Sequence, residues 1–337
     1  MVTLSGEERS ELARNYTTNP EGYQLYLTGR YHWGKRSGEG IHKSIESFRQ
    51  AIAKDPAYAL AYVGLADAYA TLGSYHLAAP REALPLAREA AEQALKIDAN
   101  LAEAHATMGK IFTDYYWDRE VAESEFKRAI DLKPNYSNAH HWYSTLLGAH
   151  LGRFDEAVRE ANRALELDQH SPVAATQLGA VLYRARRYDE AITVLQRTLE
   201  QEPTFTVARY YLGLCHLMQG RREEAMSEFR RGRSGAPDNA DFIALLSYTR
   251  AQEDNLGEAR RYYAELNELA RHRFVPPFTY VIVHAGLGEM DEAFRWLEKC
   301  YLERDPSIRA LKTDPLFDAL RPDSRFASMI RRSGFEQ

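Results

Sequence analysis

Cysteine is scarce in this sequence, where Cys215 and Cys300 are the only two among 337 residues. They are far apart along the chain, and each falls where the apolar pattern indicates a helix interior. We therefore expect two buried free thiols and no disulfide framework. Long hydrophobic runs are also missing, so we expect no membrane insertion by this chain. The first residues have neither the basic nor the apolar part of a secretory signal, and nothing in them indicates export.

An excess of basic residues is absent as well, because 43 Lys and Arg face 48 Asp and Glu, for a formal net charge of -5. Surfaces that bind nucleic acid normally carry a basic stripe, so we expect no nucleic-acid binding by this segment. Local clusters such as Arg184, Arg186 and Arg187 are interpreted as solvated helix ends, where a cation is favourable near the negative end of the helix dipole.

The usual signatures of catalysis and metal binding are missing too. The sequence has no His-Glu-x-x-His, no Cys-x-x-Cys and no Gly-x-Ser-x-Gly motif. His140 and His141 are adjacent, so on a helix their side chains point about 100° apart and cannot chelate one ion together. Asp67, Lys110 and Asp114 are the nearest approach to a catalytic set. We predict no enzyme activity, no metal and no cofactor.

What the sequence does contain is a pattern that recurs about every 34 residues. Pro56, Pro134, Pro203 and Pro237 mark repeat ends, with Ala99 and Gln169 in the same position at the ends between them. A proline suits this position because its fixed φ and missing N–H end one helix and begin the next. Each repeat carries two apolar-periodic helices. A large residue beside a glycine, as in Leu212-Gly213, recurs in the first helix. A small residue recurs in the second helix, at Ala122, Ala157, Ala191, Ala225, Ala259 and Ala293.

These features resemble the tetratricopeptide repeat family over nearly the whole chain. The resemblance implies an all-α fold, a right-handed superhelical solenoid of about eight helix hairpins with a C-terminal helical cap. We expect a lead-in helix at 1–19, repeats over 20–306 and a capping segment at 307–337. The repeats are 20–56, 57–99, 100–134, 135–169, 170–203, 204–237, 238–273 and 274–306. The second repeat is long because of an insertion near 74–85, where Pro80 should open a helix and Pro85 should disturb its first turns.

Two stretches carry a more particular resemblance: NPEGYQLYLTGRYHWGKRSGEG at 19–40 and LKTDPLFDALRPDSRFASMIRRSGF at 311–335. Together they resemble the C-terminal repeat region of large bacterial signalling proteins. In that group the repeats follow an effector domain, such as a Ser/Thr kinase, a winged-helix DNA-binding domain or a nucleotide cyclase. The resemblance implies that the effector precedes residue 1, and no position of this chain matches its catalytic residues.

The first helix of each repeat should line the concave face, with residues three or four apart along it pointing into the groove. Val173 and Val207 fall on this face. The clamp that some relatives use for a carboxyl terminus is not supported, because Val63 with Asp67, Ala106 with Lys110 and His141 with Thr145 occupy its positions. The predicted groove residues are Asp67, Lys110, Asn138, His141, Thr145, Thr176, Tyr183, Tyr210, Leu214 and Leu217.

Tyr183, Tyr210, Leu214 and Leu217 form the apolar half of this groove. Exposed large apolar side chains in a cluster usually mark a binding surface. An alternative is that the superhelix closes there and these residues touch one another.

These patterns predict a protein interaction module that binds a protein or peptide partner in the concave groove. The resemblance adds that the chain is the regulatory or sensing part of a bacterial signalling protein. Two alternatives stay open: a structural module that self-associates through the insertion near 74–85 or the cap, and an accessory region of a kinase or cyclase. We expect a monomer and, because of the free thiols, a cytoplasmic location. A spanning helix upstream in the parent protein would instead place the repeats outside the cytoplasm.

Overall fold

A computed structural model of the chain describes residues 17–237 and 239–334. Within these ranges the chain forms seventeen α-helices and no β-strand, so the predicted all-α solenoid is confirmed. The predicted lead-in helix at 1–19 falls almost wholly outside the described residues. The helices are α1 (Pro20–Gly34), α2 (Gly38–Lys54), α3 (Ala59–Ser74), α4 (Pro80–Ile97), α5 (Ala102–Ile111), α6 (Arg119–Leu132), α7 (Ser137–Thr145), α8 (Phe154–Leu167), α9 (Pro172–Arg184), α10 (Tyr188–Gln201), α11 (Thr206–Met218), α12 (Arg222–Gly235), α13 (Ala240–Ala251), α14 (Leu256–Ala270), α15 (Pro277–Gly286), α16 (Met290–Leu302) and α17 (Ser324–Arg332).

Short non-α turns extend this series in three places. Two π-helical turns, Phe112–Tyr116 and Leu146–His150, follow α5 and α7. Two 3-10 turns, Pro306–Ala310 and Pro315–Phe317, lie between α16 and α17.

Helices α1 to α16 pack as consecutive pairs, and we call the odd-numbered member of each pair an A helix and the even-numbered member a B helix. Most A helices bury more than one face: α3 buries twelve of its sixteen residues, whereas the first helix, α1, buries three of fifteen. The B helices bury one narrow stripe, which in α8 consists of Ala157, Ala161 and Ala164. This difference arises because an A helix packs against its own B helix and also against neighbouring A helices.

Close packing within a pair depends on a glycine in the A helix, as the Leu212-Gly213 pair predicts. A Cβ atom built on Gly213 of α11 would lie 2.3 Å from Cε1 of Phe229 in α12. The Phe229 side chain is fully buried and therefore has no free space into which it can move. The absence of a side chain at residue 213 is what allows α11 and α12 to approach each other so closely.

The insertion near 74–85 lengthens the turn between α3 and α4. Pro80 is the first residue of α4, where its missing N–H removes no helical hydrogen bond. Pro85 lies inside α4, and the helix is continuous through it, so the expected disturbance of its first turns is not found. The turn contains His76 in the left-handed region, with φ of 55°.

The C-terminal segment has two parts that pack against different regions of the solenoid. Helix α17 lies against α16, with Arg332 paired to Glu298 at 2.6 Å and Arg325 paired to Asp291 at 2.8 Å. Residues 305–323, which we call the strap, instead turn inward and cross the A helices of earlier repeats. A cap that only covers the last hairpin was the expectation, so the strap is a feature that the sequence does not predict.

Cys215 and Cys300 are both buried and unpaired. Their thiols have raised pKa values because burial disfavours the thiolate. Over the described ranges, no helix combines the length and the apolar character that crossing a membrane requires.

The Gly213–Phe229 contact predicts an unusual effect of alanine. Gly213→Ala should lower the free energy of unfolding by about 1–3 kcal/mol, because the new methyl group overlaps the buried ring. Helix propensity alone would raise it by about 1 kcal/mol. Urea unfolding followed by circular dichroism measures the change.

Gly257→Ala is the matched control, because no heavy atom lies within 4 Å of a Cβ at that position. It should be neutral or stabilising by up to about 1 kcal/mol. Equal effects of the two substitutions would show that helix packing at Gly213 is not tight.

Candidate functional site

The strap crosses the C-terminal ends of four consecutive A helices. Its contacts follow the order of the repeats, advancing by four strap residues at each of the first two steps, so it runs along the concave side in the direction of the repeats. The contacts are Asp305 with His76 at 3.2 Å, Arg309 with Asp114 at 3.4 Å, the Thr313 hydroxyl donating to the Ala149 carbonyl at 2.6 Å, Tyr183 donating to Asp314 at 2.9 Å, and Arg186 with Asp318 at 2.7 Å.

Two further contacts join distant parts of the chain at the insertion. Arg81 donates a hydrogen bond to the backbone carbonyl of Leu302, at the end of α16. Nδ1 of His76 lies 4.0 Å from Oδ2 of Asp241 in α13. The second repeat therefore meets the seventh and eighth directly, and the solenoid closes on itself at the insertion.

This closure corrects the prediction of an exposed apolar patch. Tyr183 and Leu214 are fully buried, and Leu217 is 8% exposed. Tyr210 is half-buried, with its ring 6.3 Å from that of Phe242. The reason is that spacing along an A helix identifies its inward face but not what covers that face. The alternative, closure of the superhelix at this point, describes Tyr183, whose hydroxyl donates to Asp314 of the strap.

Two of the polar groove residues are also more enclosed than expected. Asp67 is 1% exposed, pairs with Arg30 at 3.0 Å and accepts a hydrogen bond from Thr107 at 2.6 Å. It joins three successive A helices from inside. Asn138 is half-buried, and its amide donates to the hydroxyl of Tyr136 at 3.4 Å.

An open slot remains between the strap and the A helices. It consists of a first cavity of about 120 Å³ and a second of about 190 Å³, which share Ser74, Arg184, Tyr211 and Arg309 among their lining residues. The predicted groove residues Lys110, His141, Thr145 and Thr176 line the first cavity, and Tyr210 lines the second. The structure thus brings five of the ten predicted residues to one slot.

The Lys110 ammonium group lies in a network inside the first cavity. It forms an ion pair with Asp114 and donates to the Ser74 hydroxyl at 2.6 Å. Burial lowers the pKa of Lys110, while Asp114 opposes that shift. Burial alone would raise the pKa of Asp114, but Lys110 and Arg309 lower it below its ordinary value of 3.8. Lys110 and Asp114 thus meet as an ion pair, whereas Asp67, the third member of the nearest catalytic set, is held by Arg30.

The pKa of His141 reflects the burial and the positive charge of the same cavity. This pKa is lowered from 6.5 to about 3, first by burial and then by the positive charges of Arg36 and Lys110. The imidazole is therefore neutral at physiological pH. Over the described part of the chain, no three His, Cys, Asp or Glu side chains are grouped to hold a metal ion.

Sequence reasoning missed the arginines of this site. Arg184 was interpreted as part of a solvated helix end, but it is 6% exposed, because the strap covers it and the Tyr211 hydroxyl accepts its hydrogen bond at 3.3 Å. Arg36 follows α1, and Arg309 comes from the strap. No local pattern brings these three residues together, since they are separated by more than a hundred positions.

Comparison with known proteins identifies the repeat. Residues 149–204 and 182–247 match the sequence model of a family described as tetratricopeptide repeat. Among curated proteins, the transcriptional regulator HilA of Salmonella typhimurium is 24% identical over 144 residues, which are 43% of this chain and 26% of HilA. The matched part spans about a quarter of that relative's length.

Two solved structures share the fold. Human IFIT1, solved as a dimer with PPP-AAAA, has a TM-score of 0.62 at 14% identity, covering 88% of this chain and 68% of that chain. PilW, a type IV pilus biogenesis factor, has a TM-score of 0.50 at 21% identity, covering 62% of this chain and 95% of that chain. Residues 149–247 therefore match the tetratricopeptide repeat model, and the likeness to these two structures shows a shared helical-hairpin fold.

The His76 contact predicts a dependence of stability on pH. Burial lowers the pKa of His76, but Asp305 and Asp241 more than compensate and raise it from 6.5 to about 10. Because the folded-state pKa is the higher one, the stabilisation is complete below pH 6.5 and is lost as the pH rises towards 10. His76→Gln should remove this part of the pH dependence, as measured by urea unfolding across that range.

His42→Gln, at an exposed histidine of α2, is the control. Its free energy of unfolding should depend on pH as that of the wild type does. If the His76 variant and the wild type lose stability in parallel over this range, the charged contact between the insertion and the strap does not exist.

Proposed function

We propose that the chain is a protein interaction module that binds an extended segment of a partner protein in the slot beside the strap. The observation that supports this most directly is the strap itself. It is a segment without α-helix that lies along the concave side and contacts four repeats in order. The A helices therefore present a surface that suits a peptide running along the superhelix.

The part of the groove left for a partner lies next to the strap. His141, Val173 and Val207 line it and are half-buried, so they keep surface for a ligand. Polar groups such as Lys110 and Thr145 stand among these side chains, and binding sites commonly combine apolar walls with a few polar groups that orient the ligand. A peptide with alternating apolar and polar side chains fits this lining.

The proposal also assigns the chain to a larger protein, as the regulatory or sensing part of a bacterial signalling protein. HilA is a transcriptional regulator, and similarity to about a quarter of its length is what a shared regulatory region beside a separate effector would give. Of the effectors that the sequence resemblance suggests, a DNA-binding domain fits this relative best. The free thiols favour the cytoplasm.

Self-association through the insertion near 74–85 has less support. His76 and Arg81 of the insertion are engaged by Asp305 and the Leu302 carbonyl of the same chain. These contacts give the insertion an intramolecular role, and the proposed monomer agrees with them.

The proposal is tested by shortening side chains that line the slot and measuring how well the variant binds peptides. The peptides are first selected on the intact chain from a display library. A variant carrying His141→Ala, Val173→Ala and Val207→Ala should bind them at least about tenfold more weakly, because contact surface at the centre of the site is lost. Since all three residues are uncharged at neutral pH, the variant preserves the charge of the cavity. Fluorescence anisotropy of labelled peptides measures the affinity.

The matched control replaces Thr193 and Gln196, which are exposed on α10, by alanine. It should bind the peptides as the wild type does. Peptides that bind the slot variant and the wild type equally would place the partner site outside the concave groove.

A further inference from the structure

The first cavity holds more positive than negative charge. Arg36, Lys110, Arg184 and Arg309 line it, whereas Asp114 is its one lining carboxylate. This excess occurs in a chain whose formal net charge is -5, so it is local and is not a consequence of overall composition. Confinement between the strap and the A helices keeps water from screening these charges as it would on an open surface.

Arg36 is the least compensated of the four cations. Its guanidinium stacks 3.5 Å from the centre of the Trp33 ring and donates to the Thr71 hydroxyl at 3.2 Å. Within residues 17–237 and 239–334, no carboxylate lies within 4.0 Å of it, and its buried Nε has no hydrogen-bond acceptor. Burial lowers the pKa of Arg36, which indicates that nearby negative charge does not offset the loss of water.

Two more buried donors at the cavity lack an acceptor in the described part of the chain. The hydroxyl of Thr176, which is 3% exposed, has no hydrogen-bond partner. Nε of Arg184 is 3.7 Å from Oδ2 of Asp314, which is too long for a hydrogen bond. Buried polar groups in proteins are nearly always paired, so donors left in one cavity call for an acceptor from outside the chain.

The volume of the first cavity suits a small acceptor group. A cavity needs about 10–15 Å³ on this measure to hold one water molecule. The first cavity measures about 120 Å³ and thus has room for a carboxylate or phosphate group together with a few waters.

We propose that the first cavity binds an anionic oxygen group, a carboxylate or a phosphate, carried by the ligand of the slot. This inference rests on the proposed function, because it names the chemistry that the same site recognises. Arg36, Lys110 and Arg184 come from the repeats, and Arg309 comes from the strap. A bound anion therefore joins the strap to the repeats through charge-assisted hydrogen bonds.

Isothermal titration calorimetry on the purified chain tests this site in a buffer free of phosphate and carboxylate. The probes are inorganic phosphate, citrate, and one alanine-rich peptide made in three forms, with a central phosphoserine, glutamate or glutamine. At least one anionic probe should bind, and the glutamine peptide should bind more weakly than its two anionic counterparts. Tighter binding of free phosphate or citrate identifies a small-molecule source, and tighter binding of an anionic peptide identifies a protein source.

Two variants assign the binding to the cavity. Arg36→Gln should weaken it about tenfold, the usual effect of losing a charge-assisted contact. Thr176→Val keeps the side-chain shape and removes only the unpaired hydroxyl. It should weaken binding severalfold without lowering the thermal unfolding temperature, whereas a purely structural role for the hydroxyl would lower that temperature and leave affinity unchanged. Circular dichroism checks that both variants remain folded.

Arg159→Gln, at an exposed position of α8, makes the same change of charge away from the cavity and should alter affinity less than about twofold. The proposal is overturned if no anionic probe binds up to about 10 mM, a limit well above ordinary site affinities. Equal weakening by Arg159→Gln and Arg36→Gln also overturns it. If free anions bind while display-selected peptides bind the slot variant and the wild type equally, the anion site stands and the peptide-binding function fails.

Discussion

The buried contacts of Asp314 hold the strap against the inner face of the solenoid. The Asp314 carboxylate accepts the hydroxyl hydrogen bond of Tyr183 and lies beside the Arg184 guanidinium, and all three side chains are buried. Removing one partner from such a buried contact typically costs about 3–5 kcal/mol, because it leaves an uncompensated charge. Apolar strap residues such as Ile308 and Phe317 are almost fully buried and add about 1.5–3 kcal/mol each. The strap is therefore an integral part of the fold, and a partner has to bind beside it.

The position of the strap determines the chemistry of the groove. By crossing the C-terminal ends of the A helices, it covers part of the concave face and leaves a slot that combines apolar side chains such as Val173 and Val207 with an excess of cationic groups. Arg309 is carried into that slot on the strap, opposite Lys110 and Asp114. The low pKa of His141 and the lowered pKa of Lys110 are consequences of the same confinement. Fold closure and the cationic excess of the first cavity thus have one structural cause.

The sequence predicts what is local in this structure. The 34-residue pattern places the helices, and the Leu212-Gly213 pair indicates the close packing that Phe229 fills. The strap is different, because Asp314 meets Tyr183 across 131 positions and no periodicity relates the two. For that reason helical spacing places Thr176 and Tyr210 at the slot, whereas the predicted exposure of Tyr183 and Leu214 is wrong. Lys110, His141, Thr145 and Thr176 were found from helical spacing, but Arg36, Arg184 and Arg309 required the closed structure.

A distance measurement across the closure tests the central claim most directly. Leu77 in the insertion and Leu302 at the end of α16 are 39% and 52% exposed, so cysteines at these positions accept spin labels. The native thiols are buried and of low reactivity. Double electron–electron resonance should give one narrow distribution at short distance, because Arg81 and the Leu302 carbonyl are in contact. A broad distribution at long distances would show an open superhelix and would contradict the closed slot and everything inferred from it.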